Sequence, residues 1–248
     1  MNKLAILIAS ALLALSSVNA TTIAWWDFSE LPGGRTFPTG DPRRVQHGPD
    51  GFEPEYLAPG VKNPEGLQRG NEGTNHNGNP RRGGSWGGVN FMDTSYKSAV
   101  KSGRYYEFTL EFDFGTIIEL TLLEGYFFTS ATGPDFAQWA YSINGNSQFT
   151  KIGEKVYLPG DASVHFDIDL KGIVANWEET DSITFRVVAW REEPIINTTG
   201  SFYFDGRTKS RETPGLALYG EMIPEPSVAL LLGIGAAFIA CRRKKRSR

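Results

Sequence analysis

The stretch RYYEFTLEFDF, residues 104–114, decides the fold class. Its apolar and polar residues alternate without a break, and a period of two is typical of a β-strand with one buried face. The alternation predicts a buried face made of Tyr106, Phe108, Leu110, Phe112 and Phe114. The solvent face is then Tyr105, Glu107, Thr109, Glu111 and Asp113. Because such a strand is apolar on one side, it needs a second layer of structure against it.

The same alternation recurs along the chain. SVHFDIDL (163–170) turns Val164, Phe166, Ile168 and Leu170 inward, and SITFRVVAW (182–190) does the same with Ile183, Phe185, Val187 and Ala189. Further strands are predicted at 22–28, 117–129, 136–143, 147–152, 200–204 and 215–221, with turn signals at GPD (133–135), NGN (144–146) and PGD (159–161). About nine strands at this spacing favour an all-β fold, an antiparallel two-sheet sandwich of the jelly-roll type. No helical period is long enough for a substantial helix.

Residues 21–223 are predicted to form one β-sandwich domain, with a long Gly/Pro/Asn-rich loop at about 31–88. A structureless loop of that length is uncommon inside a compact domain. Two interpretations stay open. The stretch is flexible, or it is a surface loop held in place by Trp86, Phe52 and Tyr56.

The N-terminal residues 1–20, MNKLAILIASALLALSSVNA, have the three parts of a secretory signal peptide. A basic residue, Lys3, precedes an apolar run of 12 residues, and Val18-Asn19-Ala20 fits a small-x-small cleavage site. The alternatives are a buried helix and an uncleaved anchor, but a bilayer span needs about 20 apolar residues. We therefore expect cleavage between Ala20 and Thr21, and export of the mature chain.

The C-terminus combines Pro224-Glu225-Pro226, a 14-residue uncharged run SVALLLGIGAAFIA (227–240), Cys241 and a basic end. The basic residues are Arg242, Arg243, Lys244, Lys245, Arg246 and Arg248. A basic cluster directly after an apolar segment stays in the cytoplasm and stops transfer, so this run is predicted to be a C-terminal transmembrane helix, although a short one. The two prolines hold the chain extended in front of it.

This tail, residues 224–248, resembles the PEP-CTERM sorting signal of Gram-negative environmental bacteria, with all three parts in the right order. The resemblance implies recognition by an exosortase, a membrane cysteine protease or transpeptidase. It also implies transient anchoring in the inner membrane by the C-terminus, followed by transfer to the cell surface or extracellular matrix, where exopolysaccharide and biofilm systems operate. A permanent tail anchor is the alternative. The body resembles uncharacterised surface proteins with this tail through WDF (26–28), YSINGN (141–146) and FYFDG (202–206), which implies a jelly roll and no activity.

Charge argues against a nucleic-acid partner. Removing Lys3 and the six tail bases leaves 18 of the 25 Lys and Arg residues, and removing Glu225 leaves 27 of the 28 Asp and Glu residues. Residues 21–223 therefore carry a formal charge of −9, which repels phosphates. Because Cys241 is the one cysteine, the mature domain is also predicted to lack a disulfide.

No catalytic motif is recognisable: G-x-S-x-G, H-E-x-x-H, a P-loop and C-x-x-C are all absent. No cofactor is predicted. His165, Asp167 and Asp169 share one strand face and are a candidate cation site, with an ordinary solvated face as the alternative. Asp27 and Asp205 are candidates for a structural calcium.

Two functions remain open. The first is a non-catalytic surface or matrix protein that binds exopolysaccharide through exposed aromatic rings. Trp190, on the polar side of its strand, and Trp139, on the same face as Ala137 and Tyr141, are the candidate ligand-binding residues, with core packing as the alternative. The second is a secreted polysaccharide-active enzyme, a glycoside hydrolase or lyase on the same scaffold. It would need two facing carboxylates. Glu178-Glu179 and Glu192-Glu193 are neighbouring acidic pairs, but sequence neighbours on a strand project to opposite faces, and a solvated turn is the alternative.

Overall fold

The structure, a computed structural model, describes residues 20–28, 51–70, 85–176, 182–194, 200–206 and 215–223. The predicted sorting signal (224–248) and all of the predicted signal peptide except Ala20 lie outside these ranges. Among the described residues, no helix has the length and apolar character needed to cross a bilayer.

Thirteen strands and one short helix occur in the described ranges. In chain order they are β1 (Thr21–Trp26), β2 (Tyr56–Leu57), β3 (Val61–Lys62), β4 (Gln68–Arg69), β5 (Ser85–Val89), α1 (Tyr96–Lys101), β6 (Tyr105–Phe112), β7 (Ile117–Thr129), β8 (Phe136–Ile143), β9 (Thr150–Tyr157), β10 (Ser163–Asn176), β11 (Ser182–Trp190), β12 (Ser201–Asp205) and β13 (Leu216–Met222). Every strand pairing is antiparallel. The predicted all-β fold is confirmed.

The strands form two sheets. Sheet 1 has the order β2-β1-β13-β7-β12-β5, with β10 also pairing with β7. Sheet 2 has the order β3-β6-β11-β8-β9, with β4 also pairing with β6. The long strand β7 pairs with β10 from end to end and with β13 and then β12 along its length. The two-sheet architecture predicted from the sequence is confirmed.

The sheets meet through an aromatic core. Trp26 of sheet 1 lies 4.7 Å from Phe108 of sheet 2, measured between ring centroids. Tyr106 stacks on Phe202 at 5.3 Å and 7°, and its hydroxyl donates a hydrogen bond to the Phe202 carbonyl oxygen. Fully burying a side chain of this size stabilises the fold by about 1.5–3 kcal/mol, so these rings hold the sheets together.

The alternation in residues 104–114 predicts the faces of β6 correctly except at its end. Tyr106, Phe108, Leu110 and Phe112 are buried. Phe114, by contrast, is 82% exposed, so its predicted place on the buried face is wrong. The strand ends at Phe112, and the chain turns at Gly115, which has a φ of 84°. Phe114 therefore lies outside the pleated strand and does not follow its alternation.

The stretch predicted as a long loop, 31–88, contains β-structure in its described parts. The short strands β2, β3 and β4 lie in residues 51–70, and β5 begins at Ser85. Leu67 and Trp86 are buried in the core, and Phe52 packs against it. Tyr56 is 40% exposed. The described residues therefore favour the interpretation in which Phe52 and Trp86 hold this stretch against the domain.

Candidate functional site

An aromatic row crosses the outer face of sheet 2. It consists of Tyr157 on β9, Phe136 on β8, Trp190 on β11 and Tyr96 on α1. Trp190 lies directly opposite Phe136 in the strand register, and Phe136 lies directly opposite Tyr157. Neighbouring ring centroids are 5.7–5.9 Å apart. Because direct cross-strand partners project from the same face, the row is fixed by the sheet itself.

Exposure is concentrated at one end of the aromatic row. Tyr157 is 64% exposed, whereas Phe136 is 8% exposed and Trp190 and Tyr96 are half-buried. The accessible ring of Tyr157 thus continues into a strip of aromatic surface that the neighbouring side chains cover in part. An exposed aromatic ring beside polar groups is a stacking surface for the apolar face of a sugar.

Lys151 and Lys155 on β9, called the lysine pair below, lie over rings of this row. Lys155 Nζ lies 3.8 Å from the centroid of Phe136, and Lys151 Nζ lies 4.1 Å from the centroid of Tyr96. Both side chains are exposed, and neither forms an ion pair with another described residue. The lysine pair therefore adds unneutralised positive charge beside the aromatic row.

A bulge in β9 sets which of its residues lie opposite the aromatic row. The register moves from Trp139↔Ile152 to Ala137↔Val156, so three residues of β9 lie opposite one residue of β8. Gly153 in this bulge has a φ of 64°. The Gln138 side-chain amide satisfies the disturbed backbone by donating to the carbonyl oxygens of Ile152 and Gly153. The two extra residues keep Lys151, Lys155 and Tyr157 on one face, and they shift the register so that Tyr157 rather than Lys155 lies opposite Phe136.

Arg186 anchors the middle of the same face. Its guanidinium donates to Glu107 Oε2 from Nε at 2.9 Å and from Nη2 at 2.7 Å. The group also lies between the rings of Tyr105, at 3.9 Å, and Phe149, at 3.7 Å. Burial raises the pKa of the Tyr105 hydroxyl, against the opposing effect of Arg186. At neutral pH this hydroxyl is protonated and able to donate a hydrogen bond.

Hydroxyl groups follow beyond Arg186. Thr109 and Thr184 lie directly opposite each other, with their Oγ1 atoms 2.9 Å apart, and Ser142 lies opposite Thr184 on the other side. Ser142 Oγ is buried and makes no hydrogen bond within the described residues. The outer face of sheet 2 thus carries aromatic, charged and hydroxyl groups in successive rows.

Helix α1 borders the aromatic row. Ser95 and Ser98 form a capping box at its N-terminus, which stabilises a helix of six residues. The helix packs on β11, with Ala99 buried. This contact positions Tyr96 edge-on to Trp190 at 82°.

The outer face of sheet 1 is acidic by comparison. Glu124 on β7 accepts a hydrogen bond from the Tyr219 hydroxyl at 2.9 Å and lies 3.7 Å from His165 Nε2. Burial, together with this hydrogen bond and the Glu124 charge, raises the pKa of Tyr219 to about 12. Asp167 lies directly opposite Glu124, and Glu221 directly opposite Glu119. Carboxylates facing one another across strands repel, so this face is a poor surface for an anionic ligand.

The two candidate tryptophans lie on opposite faces of sheet 2. Trp190 projects outward and is part of the aromatic row, as its place in the alternation predicts. Trp139 is fully buried between the sheets, 5.6 Å from Phe166 and 6.2 Å from Phe127. Because its ring has no exposed face, Trp139 is corrected from a candidate ligand-binding residue to a core residue.

The three cation candidates on β10 are not brought together on one ion. His165, Asp167 and Asp169 do share the exposed face of β10, but alternate residues of a strand are about 6.6 Å apart, too far for one ion to bind all three. Asp27 directly follows β1 and is half-buried, and the buried Asp205 accepts a hydrogen bond from the Ser163 hydroxyl. Among the described residues, no group of three His, Cys, Asp or Glu side chains could hold a metal ion.

The remaining predicted residues divide by location. Ala20 and Thr21, at the predicted cleavage site, are exposed, and Thr21 is the first residue of β1. Glu192 and Glu193 are exposed just after β11. Glu178-Glu179, Pro224-Glu225-Pro226 and the basic tail lie outside the described residues.

Sequence reasoning missed most of the aromatic row. Lys155 and Tyr157 escaped because the predicted strand 147–152 ends just before Gly153, whereas β9 continues through its bulge to Tyr157. Lys151 lies inside the predicted strand but was not predicted to be a site residue. Tyr96 escaped because a six-residue helix is too short to show a 3.6-residue period. The signal that could have found them is the two-residue spacing of Lys151, Gly153, Lys155 and Tyr157, which places all four on one face of a strand.

Comparisons with known proteins give weak similarity. No protein-family model and no curated protein matches the chain. The chain is similar in structure to the CBM22-1 xylan-binding domain of Xyn10C from Paenibacillus barcinonensis, with 10% identity and a TM-score of 0.27, over 58% of this chain and 84% of that one. It is also similar to the C-terminal domain of a chitobiase from Bacteroides fragilis, with 13% identity and a TM-score of 0.24, over 48% and 65% of the two chains. At these TM-scores the similarity supports no statement about this chain.

Proposed function

We propose that this protein is an exported, non-catalytic surface or matrix protein that binds polysaccharide on the outer face of sheet 2. The observation that carries the proposal is the aromatic row, which is fixed by strand register and ends in the exposed ring of Tyr157. A sugar ring presents C–H groups on its faces and hydroxyls on its edges. On the outer face of sheet 2, aromatic rings can stack on the C–H groups of a sugar, and charged and hydroxyl groups can form hydrogen bonds with its hydroxyls.

The export route is part of this proposal. The three-part leader at 1–20 and the tail at 224–248 support secretion and sorting by an exosortase, with the C-terminal apolar run held transiently in the inner membrane. We also propose a jelly-roll connectivity for the two sheets. A surface location would bring the domain into contact with exopolysaccharide, as the resemblance of the tail implies.

The binding proposal predicts that Tyr157→Ala weakens binding to the best glycan ligand by at least about tenfold, because exposed aromatic anchors contribute about 2 kcal/mol or more. Trp190→Ala should weaken the same interaction. Binding would be measured by calorimetry with the wild-type protein after a screen of soluble polysaccharides.

Tyr56→Ala is the matched control, because Tyr56 is an exposed tyrosine on sheet 1. Equal losses in the Tyr157 and Tyr56 variants would contradict a site on sheet 2. Release of reducing ends or unsaturated sugars during incubation with the protein would instead support the enzyme alternative.

The sorting proposal predicts the intact mass of the mature protein from its native host. We expect a chain that starts at Thr21 and ends near Pro224, because both ends are processed. A Pro224→Ala, Glu225→Ala, Pro226→Ala variant should keep its tail and stay in the membrane. A wild-type mass that still includes Arg248 would show that the tail is a permanent anchor.

A further inference from the structure

We propose that the lysine pair, Lys151 and Lys155, makes the outer face of sheet 2 selective for a carboxylate-bearing polysaccharide, one that contains uronic acid residues. This inference rests on the polysaccharide binding proposed above for the aromatic row. It adds the chemical class of the ligand, which the aromatic rings alone do not define.

The first argument is that each ammonium group is held where an incoming carboxylate can reach it. Lys155 and Lys151 are exposed, and they lie over the rings of Phe136 and Tyr96 at 3.8 and 4.1 Å. A cation–π contact uses none of the ammonium group's hydrogen-bond donors, so each lysine can still donate to a carboxylate of a bound polymer.

The second argument is that both lysines lack a counterion among the described residues. Two other cations of sheet 2 are neutralised by carboxylates: Arg186 pairs with Glu107, and Lys62 pairs with Asp113. Glu154 lies between the two lysines in sequence but forms an ion pair with neither. The positive charge of this edge is therefore available to a ligand.

The third argument concerns charge density. The domain carries a formal charge of −9 over residues 21–223, so long-range repulsion of a polymer increases with the number of charges that the polymer carries. Two available ammonium groups match a polymer with about one charge on each acidic sugar. A densely sulfated polymer would bring many more charges than the lysine pair neutralises, and it is disfavoured for that reason.

The fourth argument is the length of the site. Lys151 lies opposite Ala140, and Tyr157 lies opposite Phe136, four residues along β8. At about 3.3 Å for each residue, these two points are about 13 Å apart. The distance is longer than a single sugar ring, so the lysine pair and Tyr157 are arranged to contact successive residues of a polymer.

The test is calorimetric titration of the protein, purified from an exporting bacterial host, with polygalacturonate, dextran sulfate and a neutral xylan. We expect the wild type to prefer polygalacturonate. The Lys151→Gln and Lys155→Gln variants should each weaken that interaction by about two- to fivefold while leaving neutral xylan unaffected. Lys171→Gln is the matched control, since it removes the same charge from an exposed residue of β10 on sheet 1.

The outcomes separate this inference from the function on which it depends. Equal affinity for xylan and polygalacturonate, unchanged in the lysine variants but reduced in Tyr157→Ala, would overturn the inference and leave polysaccharide binding intact. Preference for dextran sulfate would overturn the carboxylate assignment. An equal loss of polygalacturonate affinity in Lys171→Gln would overturn the role of the lysine pair, because net charge alone would then explain the effect. Absence of binding to all three polymers by a folded protein would overturn the inference and count against the proposed function as well.

Discussion

Replacing Trp139 with alanine will destabilise the domain by about 3–5 kcal/mol, the loss typical of a large aromatic residue removed from a close-packed core. Trp139 is fully buried and lies within 5.6–6.4 Å of the rings of Phe108, Phe127, Phe166 and Phe204. Its removal leaves a cavity between the sheets. The neighbouring rings can fill this cavity only if they lose their present contacts, because the core is close-packed. Urea unfolding followed by circular dichroism measures the change in free energy.

Two further variants test whether the loss in Trp139→Ala comes from core packing. Trp139→Phe should lose much less stability, because Trp139 Nε1 has no hydrogen-bond partner among the described residues and the substitution removes volume alone. Trp190→Ala, on the outer face of the next strand, should also have a small effect on stability but a large one on glycan binding. A Trp190→Ala protein as unstable as Trp139→Ala would show that Trp190 is also a core residue.

Gly87→Ala is expected to cost about 3 kcal/mol, near the upper end for overpacking, although it adds one methyl group. A Cβ atom at this position would lie 2.3 Å from the Phe202 carbonyl oxygen and 2.6 Å from Tyr203 Cα. Both atoms belong to the backbone of β12, so β5 has to move away from its partner strand.

That movement also breaks a link between the sheets. The Gly87 carbonyl oxygen accepts hydrogen bonds from Arg69 Nε at 3.0 Å and from Nη2 at 2.5 Å. The Arg69 guanidinium lies 4.4 Å from the ring of Trp86. Because Arg69 is on β4 of sheet 2 and Gly87 is on β5 of sheet 1, displacement of β5 opens this side of the sandwich.

Gly145→Ala is the control for Gly87→Ala. Gly145 has a φ of 65°, and nothing lies within 4 Å of an added Cβ. Gly145→Ala therefore costs only the strain of an alanine in the left-handed backbone region, about 1 kcal/mol. Hydrogen exchange should show weakened protection of β5 amides in Gly87→Ala alone. Equal losses of stability in the two variants would mean that the contact with β12 relaxes freely.

The strands that alternate cleanly could be predicted from sequence almost to the residue. β7 and β8 have the predicted bounds of 117–129 and 136–143, because long apolar runs with period two leave one register that buries the apolar side. The turn at NGN is also confirmed: Asn144 and Gly145 both have positive φ, and Asn146 N donates to the Ile143 carbonyl oxygen.

What escaped prediction has physical causes of a different kind. β2, β3 and β4 are two residues long, and the β5 sequence SWGGV lacks the β-branched run expected of a strand. Their place in the sheets depends on long-range contacts such as that of Arg69 with Gly87. The candidate site depends on register between three strands and on one bulge, and neither is visible in the order of residues along one strand.

The pairing of β1 with β13 determines when the domain is able to finish folding. Thr21 lies opposite Gly220 in this pairing, so the first strand waits for the last one to be synthesised. Contacts of such long sequence separation form slowly, because the chain must close a very large loop first. Under the proposed export route, the first strand is left without its central partner until almost the whole domain has crossed the membrane. Until then the apolar side of β1 stays exposed, and Thr21 gains its strand partner only when Gly220 has followed it across.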